Sequence, residues 1–327
     1  MQTGTADLTN ITPEIYLPLA RTKLAQFINF ALFGIVDMLP CGPGLIVPVP
    51  SWKELSGDIE VIPDNWDPQI NKITATKDVA VIRHLGKVFG GDDLARIVNG
   101  LNPNTAIADG IANYFAKEAV QKSFLSILKG LFNSTGGILY TTNRYSQYAD
   151  VAATAATYVP MSPAVATDGM LKLGDQYENI IAWVMHSKVK GDLGKQGYLT
   201  AMTNTAPVGF NGDGNVELFL KRPIIMADSC PTTSGATTTS YRTFGISRGA
   251  FVMLTQNALN PEQDRDKRKK LDFLSTDLHA AFHVRGTAYA GTTGSGHPTA
   301  TELETGASWT LAAESEKNVG VIAIDTN

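Results

Sequence analysis

The chain of 327 residues has only two cysteines, Cys41 and Cys230, far apart and outside any CxxC pair. They cannot supply a disulfide framework or a cysteine zinc site. One bridge is the maximum, and two free thiols fit a reducing cytosol. Charge is also scarce, at 18% of residues with a formal net charge of -4. A protein that grips nucleic acid along a groove is ordinarily basic, and this one is not. The opening "MQTGTADLTN" lacks the basic start of a signal peptide. The most apolar run, residues 24–39, is interrupted by Gln26, Asn29 and Asp37. It is short for a membrane span of about 20 residues. It reads as a buried or subunit-facing helix in a soluble, intracellular chain with no membrane contact.

Catalytic frames are missing as well. GxxxxGK[ST], GxGxxG and GxSxG do not occur. Asn211, Asp213 and Asn215 have the spacing of a calcium loop, but Val216 stands where glycine is needed and Arg222 where a bidentate Glu is needed. That stretch reads as a turn leading into a strand. His279 and His283 are four apart in "HAAFH" without the Glu of a zincin, so no metal is assigned there. His84, His186 and His297 are isolated in sequence and receive no role. No metal or other cofactor is expected. The run Arg265, Lys267, Arg268, Lys269 and Lys270 is interleaved with acids and reads as a solvated hairpin end. Contact with phosphate is its functional alternative.

What the chain does have is 43% hydrophobic residues, ample for a core, and an unusual order of parts. Residues 1–17 form a polar arm. A helix is expected over 18–33. Segments 45–49 and 72–83 alternate in the manner of strands, with Pro48 and Pro50 confining the first to an edge. A long Pro-, Gly- and Asp-rich excursion joins them. A lone two-stranded hairpin is marginal in water, so its partner is expected to be another subunit. "GGDDLARIVNG" reads as a short helix capped at Asp92 or Asp93.

Residues 104–132 then read as one unbroken helix, roughly 40 Å long. Ile107, Ile111, Phe115 and Ala119 make one apolar row. Val120, Phe124, Leu128 and Leu131 make a second, slightly rotated. Lys117, Glu118, Gln121, Lys122 and Lys129 supply a polar side. Loops are expected over 134–163, then helix, strand (180–185) and helix. "VELFLKRPIIMAD" and "YRTFGISRGAFVML" read as strands with "TTSGATTTS" as a loop between them. Together these make an α/β unit of roughly 120 residues, a typical domain size. A strand pair around the basic run, a small helix near 299–305 and the strand "VGVIAI" complete the chain.

This order, with "LSGDIEVIPD", "KITATKDVAVIRHLGKVFGGDDLARIVNGLNPNTAIADGIANYFAKEAVQKSFLSILKGLF", "VMHSKV", "KRPIIMAD" and the tail "TATELETGASWTLAAESEKNVGVIAIDTN", resembles the major capsid proteins of tailed double-stranded DNA bacteriophages over residues 10–327. "HAAFHVRG" is similar to a strand that reads His-Pro-Arg-Gly in many relatives, with Val284 in place of proline. The resemblance implies an α+β, Hong Kong 97-like capsid fold. Its parts would be an N-terminal arm and helix (1–43), an extended β-hairpin loop (44–77), a peripheral domain (78–133) with a spine helix (104–132), an axial α/β domain (134–260), returning peripheral strands (261–292) and a C-terminal helix and strand (293–327).

The function implied is that of a shell subunit and not an enzyme. It would assemble with itself through hexamers and pentamers into an icosahedral capsid. That capsid would form in the host bacterial cytoplasm and enclose DNA without reading its sequence. Scaffolding, portal and decoration proteins are the candidate further partners. Trp52, Lys53, Glu54, Trp66 and Lys72 are the candidate subunit contacts, and the basic run is a candidate inner-face patch. Some relatives weld their shells with a Lys–Asn isopeptide bond. Lys53 and Lys72 lie on or beside the loop, but no acceptor Asn or catalytic Glu is identifiable, so non-covalent contact is the reading. Two alternatives stay open at this point: an encapsulin-type compartment shell, and an enzyme with a site of scattered residues.

Overall fold

A computed structural model describes residues 35–42, 44–52, 59, 61–62, 75–92, 110–111, 114–146, 159–201, 217–234, 239–266, 268, 271–293 and 296–327. The expected arm and the helix over 18–33 lie outside these residues. The first described element is strand β1 (Val36–Pro40), so the end of the 24–39 run is not helical. It is a strand because it lies parallel on β11 (Phe251–Asp266), with Val36 opposite Phe251. That partner is more than two hundred residues away, and nothing local announces it.

Strands β2 (Ile46–Trp52) and β3 (Ala75–Asp92) pair antiparallel from Ile46↔Val81 to Trp52↔Ala75, forming the base of the expected hairpin. Among the described strands β2 has β3 alone as partner, as its prolines require. β3 runs on to Asp92, through the two glycines that open "GGDDLARIVNG", and the helix expected from the cap at Asp92 or Asp93 onward lies outside the described residues. From Ile82 onward it is held by β12 (Leu271–Val284), with Leu271 opposite Asp92. The first sheet is ordered β1-β11-β12-β3-β13-β14, where β13 is Thr287–Tyr289 and β14 is Trp309–Leu311.

The long helix is described over Phe115–Leu131: a π-helical turn at Phe115–Gln121, then α1 (Lys122–Leu131). The two apolar rows meet inside that wide turn. Ala119 and Val120 are both buried, and the π-type i→i+5 bonding absorbs the extra residue between the rows. Lys117, Glu118, Lys122 and Lys129 are exposed on the remaining side.

The second sheet is ordered β4-β15-β10-β5-β8-β7-β6. Its members are β4 (Arg144–Ser146), β5 (Ile180–Met185), β6 (Thr200–Ala201), β7 (Glu217–Phe219), β8 (Arg222–Met226), β10 (Thr239–Ser247) and β15 (Val321–Thr326). β9 (Thr232–Ser234) hangs on β10. Helices α2 (Pro163–Met170) and α3 (Ser187–Lys195) flank β5, giving the expected helix–strand–helix order. α4 (Ala300–Leu303) opens with a Thr299–Glu302 capping box.

Three sequence expectations are corrected here. "VELFLKRPIIMAD" is a hairpin, turned by Leu220 (φ 50°) and Lys221 (φ 62°), a left-handed pair that carries no glycine or asparagine signal. The flanks of "TTSGATTTS" are strands, with Thr233 opposite Ser240. Arg144–Ser146, expected as loop, is a strand because it adds parallel to the chain's last strand.

The helix lies between the two sheets. Phe124, Ile127, Leu128 and Leu131 share one core with Phe251, Met253, Ala280 and Phe282 of the first sheet and with Val184, Phe244, Val321 and Ala323 of the second. Alternation sends Trp183, Ile322 and Ile324 to the far face of the second sheet, under Val165, Met170, Val189 and Leu193. The far face of the first sheet carries Ala80, Ile82, Val252, Leu254 and Ala281. Cys41, Val47 and Val49, from the β1–β2 crossing, pack against it. Both thiols are free. Burial, helped by the nearby Asp228 charge, pushes the Cys230 thiol up to about 12, so it is inert packing.

Candidate assembly interface

The described residues combine a stiff body with apolar surface left exposed. Stiffness comes from the buried helix and its ties. Ser123 Oγ donates to the Ala119 carbonyl and accepts from Arg83 Nη1 at 2.5 Å. Arg83 Nε also donates to Pro298 O at 3.0 Å, so one guanidinium joins β3, the helix and the segment before α4. Burial lowers the Arg83 pKa below its ordinary value. At the other end, Lys129 Nζ meets Glu304 Oε2 at 2.6 Å and Asn133 Nδ2 donates to Glu304 O at 2.9 Å.

Exposed apolar surface concentrates on β1, β2 and the excursion beyond β2. Met38, Leu39, Leu45 and Ile46 are all exposed, and Val61 retains 90% of its surface. Isolated exposed apolar residues are ordinary, whereas a group at a sheet margin is a surface that a neighbour can cover. Of the contact residues read from sequence, Trp52 ends β2 opposite Ala75. Lys53, Glu54, Trp66 and Lys72 lie outside the described residues. In the basic run, Arg265 and Arg268 are exposed. Arg265 faces Asp272 across the hairpin, and the Arg268 backbone N–H donates to Asp266 Oδ1 at 2.9 Å. Lys267, Lys269 and Lys270 lie outside.

The histidines are not isolated. His84 on β3 stacks on His279 of β12 at a centroid distance of 3.8 Å and on His297 at 3.7 Å. Burial lowers the His84 pKa, and the neighbouring His279 and His297 lower it further, against a raising contribution from Asp277. His283 is fully buried, with Nε2 3.5 Å from Asp78 Oδ2. These contacts span sequence separations that local pattern cannot register. "HAAFH" therefore serves two different partners, and no group of three ligating side chains among the described residues could hold a metal.

A Ser–His–Asp grouping does occur at the start of α3, but its geometry is a helix cap. His186 Nδ1 accepts the Lys188 backbone N–H at 3.1 Å, so it is not available as a base toward Ser187 Oγ, 3.4 Å away. Asp228 is 4.0 Å from His186 Nε2 and accepts the Ser187 backbone N–H; the Ser187 hydroxyl first, and then this backbone bond, hold its carboxyl below the usual carboxylate range.

Residues 101–322 match the family model of Gp13-like proteins, described as major capsid protein 13-like. The major capsid protein of Bacillus phage SPP1 is 28% identical over 322 residues, covering 94% of each chain. Among solved structures, the capsid of Ralstonia phage GP4 superposes with a TM-score of 0.63 at 12% identity, over 89% of this chain and 87% of that one. The head structure of Helicobacter pylori bacteriophage KHP40 gives 0.52 at 10% identity, over 89% and 88%. These likenesses show a mixed α+β fold of the Hong Kong 97 capsid type. The chain thus belongs to the Gp13-like family of major capsid proteins: it is a self-associating structural component of a phage capsid, not an enzyme.

Proposed function

We propose that this subunit closes an icosahedral shell around double-stranded DNA through hexamers and pentamers. In this reading residues 1–43 are the N-terminal arm and helix, 44–77 the extended loop, 78–133 and 261–292 the peripheral domain, 134–260 the axial domain and 293–327 the C-terminal helix and strand. The observation that carries it is the β2–β3 hairpin. Its base is fixed on the first sheet by pairing and by Val47 and Val49, while residues 53–74 continue beyond the last paired residues, and the apolar Val61 and Ile62 there are exposed. Apolar surface of that kind is stabilised when a neighbour covers it. Heterologous contacts of this type repeat around a ring and close it.

Trp52, Lys53, Glu54, Trp66 and Lys72 are the contact residues proposed on the loop. Arg265, Lys267, Arg268, Lys269 and Lys270 are proposed to face the interior. A net charge of -4 suits a container that must not clamp its DNA. Scaffolding, portal and decoration proteins are the further partners proposed.

Replacing residues 53–74 by Asn-Gly tests the reading, since a two-residue type I′ turn suits the paired strand ends. The shortened chain should fold with wild-type circular dichroism, while its yield of sedimenting shells falls at least about tenfold, the scale of a 1.4 kcal/mol loss per contact. Shells at wild-type yield would remove the loop from the assembly contacts.

A further inference from the structure

His84, His279 and His297 come from three separate parts of the chain, and their rings form one pile on the face of the first sheet opposite α1. Interplanar angles are 13° and 30° at 3.8 and 3.7 Å. His297 Nδ1–H donates to the Ile82 carbonyl at 3.1 Å, and the next residue, Pro298, accepts from Arg83. Directly after it, Thr299 caps α4, whose following residue Glu304 binds Lys129 at the end of α1. The pile thus holds the start of a segment that wraps from one face of the first sheet to the buried helix.

We propose that these three stacked imidazoles are an acid-sensitive clasp, closed while the central His84 is neutral and released from β3 when His84 and a ring beside it both carry a proton. Neutral rings stack favourably, and one imidazolium is tolerated on a neighbouring ring face. At one end of the pile His279 Nε2 lies 3.3 Å from Asp277 Oδ2. His84 is the middle ring, so a proton on it beside one on either neighbour places two cations face to face less than about 4 Å apart, a separation at which like charges repel. Among the described residues, Asp277 and His279 from β12 and His297 from the segment itself meet at the pile, with the neutral Asn257 of β11, whose amide lies 3.5 Å from Asp277. Arg83, next on β3, points to the opposite face, where it meets Ser123. His283, further along β12, is buried away from the pile, with Nε2 3.5 Å from Asp78 Oδ2. Asp277 is the carboxylate that raises the pKa of His84, and it is already engaged with His279. Because burial and the two neighbouring rings lower the His84 pKa, release belongs on the acid side of the ordinary imidazole value of about 6.5. In a capsid subunit such a clasp would let acidification loosen the C-terminal segment without unfolding the body.

Hydrogen–deuterium exchange of the full chain at pH 7.5 and 5.5, corrected for intrinsic rates, tests this. Protection of peptides covering 296–305 should fall at least about tenfold at the lower pH, while peptides covering 321–326 in β15 keep theirs. His84→Phe keeps a ring in the pile without a titrating nitrogen, and its protection should change less than about twofold over the same range. Unchanged protection in the wild type, the same tenfold fall in His84→Phe, or a simultaneous loss in β15 would each overturn the proposal. Should His84→Phe leave β15 unprotected at pH 7.5, His297→Phe is read by the same criteria.

Discussion

Asp325→Asn is expected to destabilise the chain by about 3–5 kcal/mol, the cost of stranding buried charge. Asp325 sits on β15 with 4% of its side chain exposed and binds two guanidiniums. Arg144 Nε meets its Oδ2 at 2.6 Å, and Arg242 meets both oxygens, at 2.6 and 2.8 Å. Arg242 Nη1 also donates to the Phe132 carbonyl at the end of the long helix. One carboxylate therefore joins β4, β10, β15 and the helix. An amide removes the countercharge and leaves two buried cations, which costs far more than a hydrogen bond alone, at about 1 kcal/mol. Since domains are stable by about 5–15 kcal/mol, the variant should be largely insoluble at 37 °C. Urea unfolding of the unassembled chain at 25 °C measures the loss. A change below about 1 kcal/mol would mean that the pair is solvated after all. The triple variant Arg144→Met, Arg242→Met and Asp325→Leu would be the informative control, because an apolar set of similar size is expected to recover much of the stability.

Gly130→Ala is the second large effect. A Cβ at Gly130 would run into the Leu303 carbonyl oxygen and lie 2.7 Å from Trp309 Nε1. Trp309 Nε1 donates to that same carbonyl at 2.8 Å, so the glycine is where α1 and α4 touch backbone to backbone. Alanine ordinarily favours a helix by about 1 kcal/mol over glycine, and here the sign reverses. Backbone cannot rotate aside as a side chain can, so α4 must move and the indole bond is strained. Overpacking costs about 1–3 kcal/mol, and the upper end is expected. The measurement is the thermal midpoint of the unassembled chain, which should fall by several degrees. A midpoint equal to or above that of the wild type would contradict the close approach.

Those two positions show what could be read in advance. The strand "VGVIAI" was visible as an apolar run, but the role of Asp325 just beyond it was not, because its partners lie 83 and 181 residues away. A charge at the end of an otherwise apolar strand was the available signal. The rotated second row of the long helix was legible, and the π-turn at Phe115–Gln121 is its cause. The far half of β3 was not: Gly86, Gly90 and Gly91 argue against a strand, and only pairing with β12 overrides them. The Leu220–Lys221 turn breaks the usual turn chemistry outright. For the assembly surface, the hairpin base and its proline edge were readable from alternation. The histidine pile depends on three strangers in sequence meeting on one sheet face. In each case local pattern succeeded where an element is stabilised by its own periodicity, and failed where a distant strand supplies the stabilisation.

The most direct test is to express the chain alone, purify it and examine it by negative-stain electron microscopy across several salt and pH conditions. Thin-walled closed shells, or rings and tubes built from the same rings, are the expected result. A monodisperse monomer under every condition would contradict self-assembly as an intrinsic property of this chain.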